Sequence, residues 1–370
     1  MRSTIKWHRN PDLSLDFSVS ADSSMVTPSV AVIIVSYNGL PIIQKCLPSV
    51  VQTDWDNLRI IFVDNHSSDQ SIEWVQEHFP NVEIMAHPDN WLFSRANNEA
   101  IESLKTDYVI LLNNDVEVSR NWLSPLVEYA EKFPQIGALQ PKILHFKKRD
   151  SFEYAGACGG FLDQLGYPFA RGRIFETTER DTGQYDAPSC IDWASGAAML
   201  LRRSALEEVG LLDELFGLHM EEIDLCWRLR RFGYQIGVVP QSTVYHMGGA
   251  TLSRKNSQKL YYNIRNSILM LYKNLPPLHF RKVFLQRIIL DHCAALMWLI
   301  RGQWKHAFAV MRGYLHAHKM RYQYSPPSNI EALPSYNGRV LFDYLISRKQ
   351  RFSDLAQKKF SHSDGFGSVP

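Results

Sequence analysis

The sequence encodes an α/β fold: an open, mostly parallel sheet with helices on both faces, followed by a helical region. Apolar runs at residues 30–35, 58–63, 82–85 and 108–112 alternate with segments whose apolar residues recur at helical spacing. The continuous run at 30–35 reads as a buried strand of a parallel sheet. The order β-α-β-α-β-α-β demands such a sheet. Polar residues gather where three of the runs end, and in open sheets ligands occupy the crevice beyond the carboxyl ends of the strands.

Residues 1–29 are rich in Ser, Asp and Thr and read as a flexible extension. Val30–Val35 is a buried strand bounded by Ser36-Tyr37-Asn38-Gly39, and a helix follows over 41–52. Leu58–Val63 ends at Asp64, and a helix is expected from about Ser68 to His78, with Ser67 or Ser68 as N-cap. A strand at 82–85, a helix at about 94–104 and a strand at 108–112 complete the alternation, ending in Asn113-Asn114-Asp115. Residues 137–192 mix Gly, Pro, aromatics and charges, as in a long irregular region. Order returns at Trp193–Leu201, with helices at 203–209 and 221–232, Gly233 as C′ residue and a short strand at 235–239. Helices are expected over 257–275 and about 280–320, separated by Pro276-Pro277. The domains expected are thus a catalytic one over 30–255, a helical region over 256–350 and a flexible tail over 351–370.

Composition narrows the class. The 370 residues are 45% hydrophobic and 21% charged, the balance of a soluble globular chain with ample core. No unbroken apolar run reaches the roughly 18 residues that span a bilayer, and the N-terminal residues show no signal-peptide h-region, so neither a span nor export is expected. Five scattered cysteines without a CxxC pair suggest no disulfide framework and no zinc knuckle, and fit a reducing cytoplasm. Net charge is +2, but residues 281–321 hold eight basic residues against one acid, Asp291. Such a block suits an anionic surface. It carries no recognisable nucleic-acid-binding motif, so no nucleic-acid partner is expected.

The chemistry lies in three constellations. Ser36-Tyr37-Asn38, Asp64-Asn65-His66-Ser67-Ser68-Asp69 and Asn113-Asn114-Asp115 all follow strands of one sheet. Asp64 can accept from a base N–H or a ribose hydroxyl, and Asp115 is a hard oxygen ligand for Mg²⁺ or Mn²⁺ on a diphosphate. Taken singly, each could merely cap a helix or make a turn. Neither GxGxxG nor GxxxxGK[ST] occurs. Second, Glu221-Glu222-Ile223-Asp224 opens a helix, where carboxylates suit the dipole. Asp224 and Arg228 stand at i and i+4, a favourable structural pair, whereas capping does not require both Glu221 and Glu222. Third, His246 follows a strand and precedes Gly248-Gly249, which permit close approach of a phosphate or sugar.

Val32–Asn38, Val63–Asp69, Asn90-Trp91-Leu92-Phe93-Ser94-Arg95-Ala96-Asn97-Asn98 and Leu111–Asp115, in that order, resemble the inverting GT-A glycosyltransferases of family 2, over about residues 30–255. The branch most similar is rhamnosyltransferase-like and galactofuranosyltransferase-like. The resemblance implies a GT-A fold and a nucleotide-binding set of Ser36, Asn38, Asp64, Asn65, Asn97, Asn113 and Asn114. It places Asn113-Asn114-Asp115 at the metal motif, with Asp115 its only anion, and His246 as the residue completing the metal shell. Glu222 becomes the catalytic base, with Glu221 as the fallback. Trp193-Ala194-Ser195-Gly196-Ala197 lines donor sugar and acceptor, through Trp193, Ser195 and Gly196.

The physical chemistry agrees with these roles. An acceptor hydroxyl must lose its proton as it attacks, and one carboxylate suffices as base. The leaving diphosphate needs positive charge, from a cation and His246. Double displacement would need a second carboxylate as nucleophile, by analogy with glycosidases, and helical spacing turns Asp224 about 200° from Glu222. The expected protein is a metal-dependent inverting glycosyltransferase using a nucleotide-sugar donor, with rhamnose favoured by the branch. Its acceptor is a glycan or lipid-linked glycan, reached from the cytoplasm by peripheral contact with an anionic membrane through the basic, apolar 281–321 segment. Two readings compete. A degenerate domain would bind nucleotide sugar without turnover. A sugar nucleotidyltransferase would need the Gly-rich basic phosphate loop that Ser36–Gly39 lacks.

Overall fold

The computed structural model describes residues 27–248, 256–329 and 332–361. Residues 1–26 of the expected extension and 362–370 of the expected tail therefore lie outside the described residues, as do Gly249 and the rest of the loop up to 255.

The first half alternates as the sequence dictates: β1 (Val30–Ser36), α1 (Leu40–Val51), β2 (Leu58–Asp64), α2 (Ser71–His78), β3 (Glu83–Ala86), α3 (Phe93–Glu102) and β4 (Tyr108–Leu112). β1 pairs in parallel with β2 on one side and β4 on the other, and β3 extends β2. All but one residue of β1 and all of β4 are buried, because helices cover both faces. The α2 cap differs from expectation. Ser67 and Ser68 instead meet Asn38, and the side chain of Asp69 accepts from Ser71 N at the helix head.

The chain continues through β5 (Val116–Val118), α4 (Leu123–Lys132) and β6 (Ile136–His145). The stretch expected to be irregular is built. It contains β7 (Gly160–Leu162), β8 (Pro168–Ala170), β9 (Arg173–Ile174) and β10 (Thr177–Thr178), a small antiparallel sheet. These strands of two or three residues are too short to show a period. Then come β11 (Ser189–Cys190), β12 (Ala198–Arg202), α5 (Arg203–Val209), α6 (Glu221–Arg231) and β13 (Gln235–His246), a strand far longer than the five residues expected. The main sheet runs β11-β13-β6-β12-β4-β1-β2-β3, with β5 on β13. β12 enters antiparallel between β4 and β6, so the sheet is mixed but mostly parallel.

Three long helices follow: α7 (Ser257–Asn274), α8 (Pro277–Ile300) and α9 (Trp304–Met320), then a short α10 (Val340–Leu345). The single helix expected over 280–320 is broken by a turn at Gly302, whose φ of 73° ends α8. Among the described residues, α8 is long and apolar enough, by length and composition, to cross a membrane. The sequence shows no unbroken run of that length because Arg281, Lys282, Arg287 and Asp291 punctuate this otherwise apolar helix. Within the stretch expected as a tail, Phe352, Leu355 and Phe360 are buried, and Phe352 and Phe360 pack against Phe161 and Phe169 of the small sheet.

Candidate active site

The site forms where β1, β2 and β4 end. Register places Ser36 directly beside Asp64. Asn114 donates its amide to Ser36 Oγ at 2.9 Å. Gly39 keeps this corner open, since a Cβ there would fall 2.4 Å from Ser36 Oγ and 2.7 Å from Asn114 Nδ2. Asn38, at a positive φ of 48°, accepts from Ser68 N at 2.7 Å and so ties the first loop to the second. Asp64 is buried. One carboxylate oxygen accepts from Ser67 N at 2.9 Å, and the other is buried without a partner. A carboxylate oxygen left in that state is one a ligand donor would satisfy.

Other expected positions spend their side chains internally. Asn65 accepts from Trp91 N at 2.8 Å and donates to Asn90 Oδ1 at 3.0 Å, which fixes the 90–93 turn. Asn97 is buried and donates to Phe93 O at 2.8 Å within its own helix. Trp193 and Ser195, expected to line the sugar, turn into the core. The Trp193 indole lies against Gly160, where a Cβ would fall 2.1 Å from its ring, and donates to Phe161 O. Ser195 N donates to Gln140 Oε1, and its hydroxyl donates to Ala155 O. Gly196 alone of the three stands opposite the helix head, with its Cβ position 3.7 Å from Glu222 Cβ. The next residue, Ala197, accepts from Asn113 N at 3.0 Å, so this segment joins the β4 loop to α6.

Asp115 and His246 meet because β5 pairs antiparallel with the end of β13, setting His246 opposite Val116. His246 Nε2 is 3.0 Å from Asp115 Oδ1, and Nδ1 is 3.0 Å from Glu153 Oε2. All three residues are buried. Burial alone would lower the imidazole, yet its hydrogen bonds and the charges of Asp115 and Glu153 carry it up to about 10. Burial likewise works to raise Glu153, but the His246 partner holds it below the usual range. Glu153 escaped the sequence reading because it lies 93 residues from His246, inside a stretch without periodicity.

The donor set fits a hard divalent cation. A carboxylate beside an imidazole whose far nitrogen is held by a second carboxylate is the usual dress of a metal-binding histidine. Ligands 3.0 Å apart match adjacent corners of an octahedron with bonds of about 2.1 Å. Among the described residues no group of three or more His, Cys, Asp or Glu side chains converges on one point, so diphosphate oxygens would have to supply further ligands.

At the head of α6 the carboxyls of Glu221 and Glu222 each keep one buried oxygen without a partner. Burial raises Glu221 well above the carboxylate range, with the charge of Glu222 adding to it. Burial also raises Glu222, while backbone N–H groups and Lys259 pull the other way. Asp224 is different. It meets Arg228 at 2.9 Å, Lys273 at 2.8 Å and Asn274 at 2.8 Å, the structural role its spacing predicted. The loop into α6 is held from α7. Asn266 donates its amide to the carbonyls of Phe216, Leu218 and His219 at 2.9, 2.8 and 2.7 Å. His219 and Met220, at φ 67° and 73°, are both left-handed. Sequence reading missed Asn266 because a buried Asn within a helix has no periodic signal.

The candidate site thus comprises the strand-end loops with the unsatisfied Asp64 oxygen, the acid pair at the head of α6 and the Asp115–His246 pair. Residues 31–210 match the family described as "Glycosyl transferase family 2", and the chain thus carries a family 2 glycosyltransferase domain. That match includes the strand-end residues and stops short of Glu221, Glu222 and His246. The chain is 26% identical over 264 residues to the N-acetylglucosaminyl-diphospho-decaprenol L-rhamnosyltransferase of Mycobacterium tuberculosis, covering 66% of this chain and 85% of that protein. It is 28% identical over 217 residues to the pre-mycofactocin glycosyltransferase of the same species, covering 57% and 42%. A crystal structure of GalNAc-T7 with UDP, GalNAc and Mn²⁺ superposes with a TM-score of 0.52 at 17% identity. It covers 68% of this chain and 48% of that one, and shows the GT-A fold.

Proposed function

We propose that the protein moves one sugar from a nucleoside-diphosphate donor to a glycan or lipid-linked glycan, with inversion, in cell-surface polysaccharide synthesis. The observation that carries this reading is the pair Glu221 and Glu222 at the head of α6, each with one buried carboxylate oxygen that no protein group satisfies, with Glu222 beside Gly196. The similarity to a rhamnosyltransferase acting on a decaprenyl-diphosphate glycan supports rhamnose as the sugar and a lipid-linked acceptor. The reaction is placed at the cytoplasmic face of a membrane, in peripheral contact with anionic lipid.

In this reading Asp64 and Ser36 hold the nucleoside, the free Asp64 oxygen accepting from base or ribose. Asn114 and Asn113 fix the β4 loop under the diphosphate. Asp115 and His246 would hold Mg²⁺ or Mn²⁺, which when bound supplies positive charge to the departing diphosphate. Glu222 takes the acceptor proton as the hydroxyl oxygen attacks the anomeric carbon from the side opposite the leaving group. Its raised basicity suits proton transfer near neutral pH. One base and one displacement give inversion.

The test is a panel of dTDP-, UDP- and GDP-sugars with a lipid-linked acceptor analogue, read by mass spectrometry and by the anomeric configuration of the product. One donor should lose its sugar to the acceptor, with the configuration inverted and turnover abolished by EDTA. Binding without product would make this a degenerate nucleotide-sugar-binding domain, and release of pyrophosphate from a sugar phosphate and a nucleoside triphosphate would make it a nucleotidyltransferase.

A further inference from the structure

Helices α8 and α9 each pack one face inward and expose an apolar stripe on the opposite one. On α8 the inner stripe, Val283, Arg287, Asp291 and Ala295, is buried, while Leu285, Ile289, Leu296 and Ile300 are each more than half exposed. On α9 the inner stripe, Ala307, Val310, Gly313 and Ala317, packs inward, while Trp304, Phe308, Met311 and Leu315 are each more than half exposed. In both helices the outer stripe is offset from the inner one by about half a turn at 3.6 residues per turn. An exposed apolar stripe opposite a packed face calls for a second, outer neighbour as well as the inner one. The fold supplies the inner one only.

The charges identify the outer neighbour. The only acid on α8 and α9 is Asp291, and it is buried on the inner face between Arg287 at 3.2 Å, the Tyr167 hydroxyl at 2.6 Å and the Tyr314 hydroxyl at 2.7 Å. Arg281, Lys282, Arg301, Lys305 and Lys319 remain exposed around the apolar stripes. An outer face with exposed cations and no exposed acid complements an anionic surface. It disfavours a second copy of the chain, because a two-fold contact would set the same cations against one another. The inner face also excludes crossing. Arg287 donates to Leu165 O at 3.1 Å and to Ser267 Oγ at 2.8 Å, so α8 is fastened along its length to the small sheet and to α7.

We propose that α8 and α9 together form a monotopic docking face, lying in the plane of an anionic leaflet with both outer stripes in the acyl boundary and Trp304 at the interface. This deepens the reading above by naming the surface through which a lipid-linked acceptor is met. The face itself does not depend on the reaction.

Cys293 provides the probe. It is exposed, and helical spacing places it between Ile289 and Leu296 on the outer stripe. The full-length protein, labelled there with an environment-sensitive thiol dye, is mixed with vesicles of phosphatidylcholine alone or with phosphatidylglycerol. A Cys293→Ser control subtracts label on the half-buried Cys190. Dye emission should shift to the blue and be quenched by brominated lipid, the protein should pellet only with the anionic vesicles, and alkaline carbonate should release it. Ile289→Glu with Phe308→Glu, both on the surface, should weaken sedimentation at least tenfold, and Arg281→Glu with Lys282→Glu should make it more salt-sensitive. No shift and no sedimentation at low salt overturns the proposal. So does a concentration-dependent dimer that these variants dissolve, which would assign the face to a second copy. Resistance to carbonate would mean crossing rather than in-plane docking. Transfer to a water-soluble acceptor, measured on the same variants, reports separately on the reaction: inactive protein that still docks refutes only the catalytic reading.

Discussion

Glu153 holds His246 by Nδ1 at 3.0 Å and thereby turns Nε2 toward Asp115. The orientation of the ring is thus set by a second carboxylate on the side away from Asp115. Replacing Glu153 with Ala should lower the affinity for Mn²⁺ in the presence of nucleoside diphosphate by about 10- to 100-fold. Titration calorimetry, or the electron paramagnetic resonance signal of free Mn²⁺, measures this without turnover. Unchanged affinity would remove Glu153 from any positioning role.

Glu222→Gln should leave folding and donor binding intact and lower turnover by about 10²- to 10⁴-fold. Donor binding by calorimetry and rates by product release separate the two effects. A variant that keeps near wild-type turnover shifts the assignment to Glu221, and Glu221→Gln then becomes the deciding substitution.

The pH profile follows from the burial of the same carboxyl. A general base works when deprotonated, so activity should fall as pH drops through its folded value. Burial has raised that value, so the acid limb of kcat/KM should lie above the ordinary Glu value of about 4.3. A limb at or below that value would mean that the group in control is well solvated, and not Glu222.

Asn266→Ala should lower kcat by about 10²-fold while leaving donor KM nearly unchanged, because it frees the loop that aims Glu222 and touches none of the nucleotide corner. A variant that loses donor binding in parallel would instead indicate general unfolding. Thermal melting of Asn266→Ala distinguishes the cases: the lost hydrogen bonds are worth about 1–3 kcal/mol, too little to unfold the chain.

Asp224 is held by Arg228 and Lys273. Burial opposes its ionisation, but those cations keep it below the usual range. Its contribution to stability is therefore present above the unfolded Asp value of about 3.9 and lost as pH falls through the lower folded value. Asp224→Asn should cost about 3–5 kcal/mol by stranding buried cations. Urea unfolding at neutral pH measures this, and a cost near zero would mean the cations are solvated after all.

The parallel half of the sheet was legible because β1, β4 and β2 from Ile60 on are almost wholly buried and read as apolar runs. The strand-end loops were legible because their polar residues interrupt those runs abruptly, and the acid pair because three acids within four residues open a helix. The small sheet was not, since β9 and β10 are two residues each and owe their form to partners rather than to pattern. The family resemblance set Trp193 along the sugar, and only the missing Cβ at Gly160 shows why its ring turns inward. The half-turn offset between inner and outer stripes on α9 was hidden too, because small Ala and Gly residues carry its inner face.

The Asn266 tether also bears on how this chain can be dissected. A boundary drawn where the sheet ends, at residue 255, keeps every residue of the nucleotide corner and discards the amide that three carbonyls of the 216–219 loop share. On the reading that Glu222 is the base, such a fragment would keep the strand-end loops and lose the tether on the loop that leads into α6. A piece meant to keep that tether has to run through α7, to Asn274.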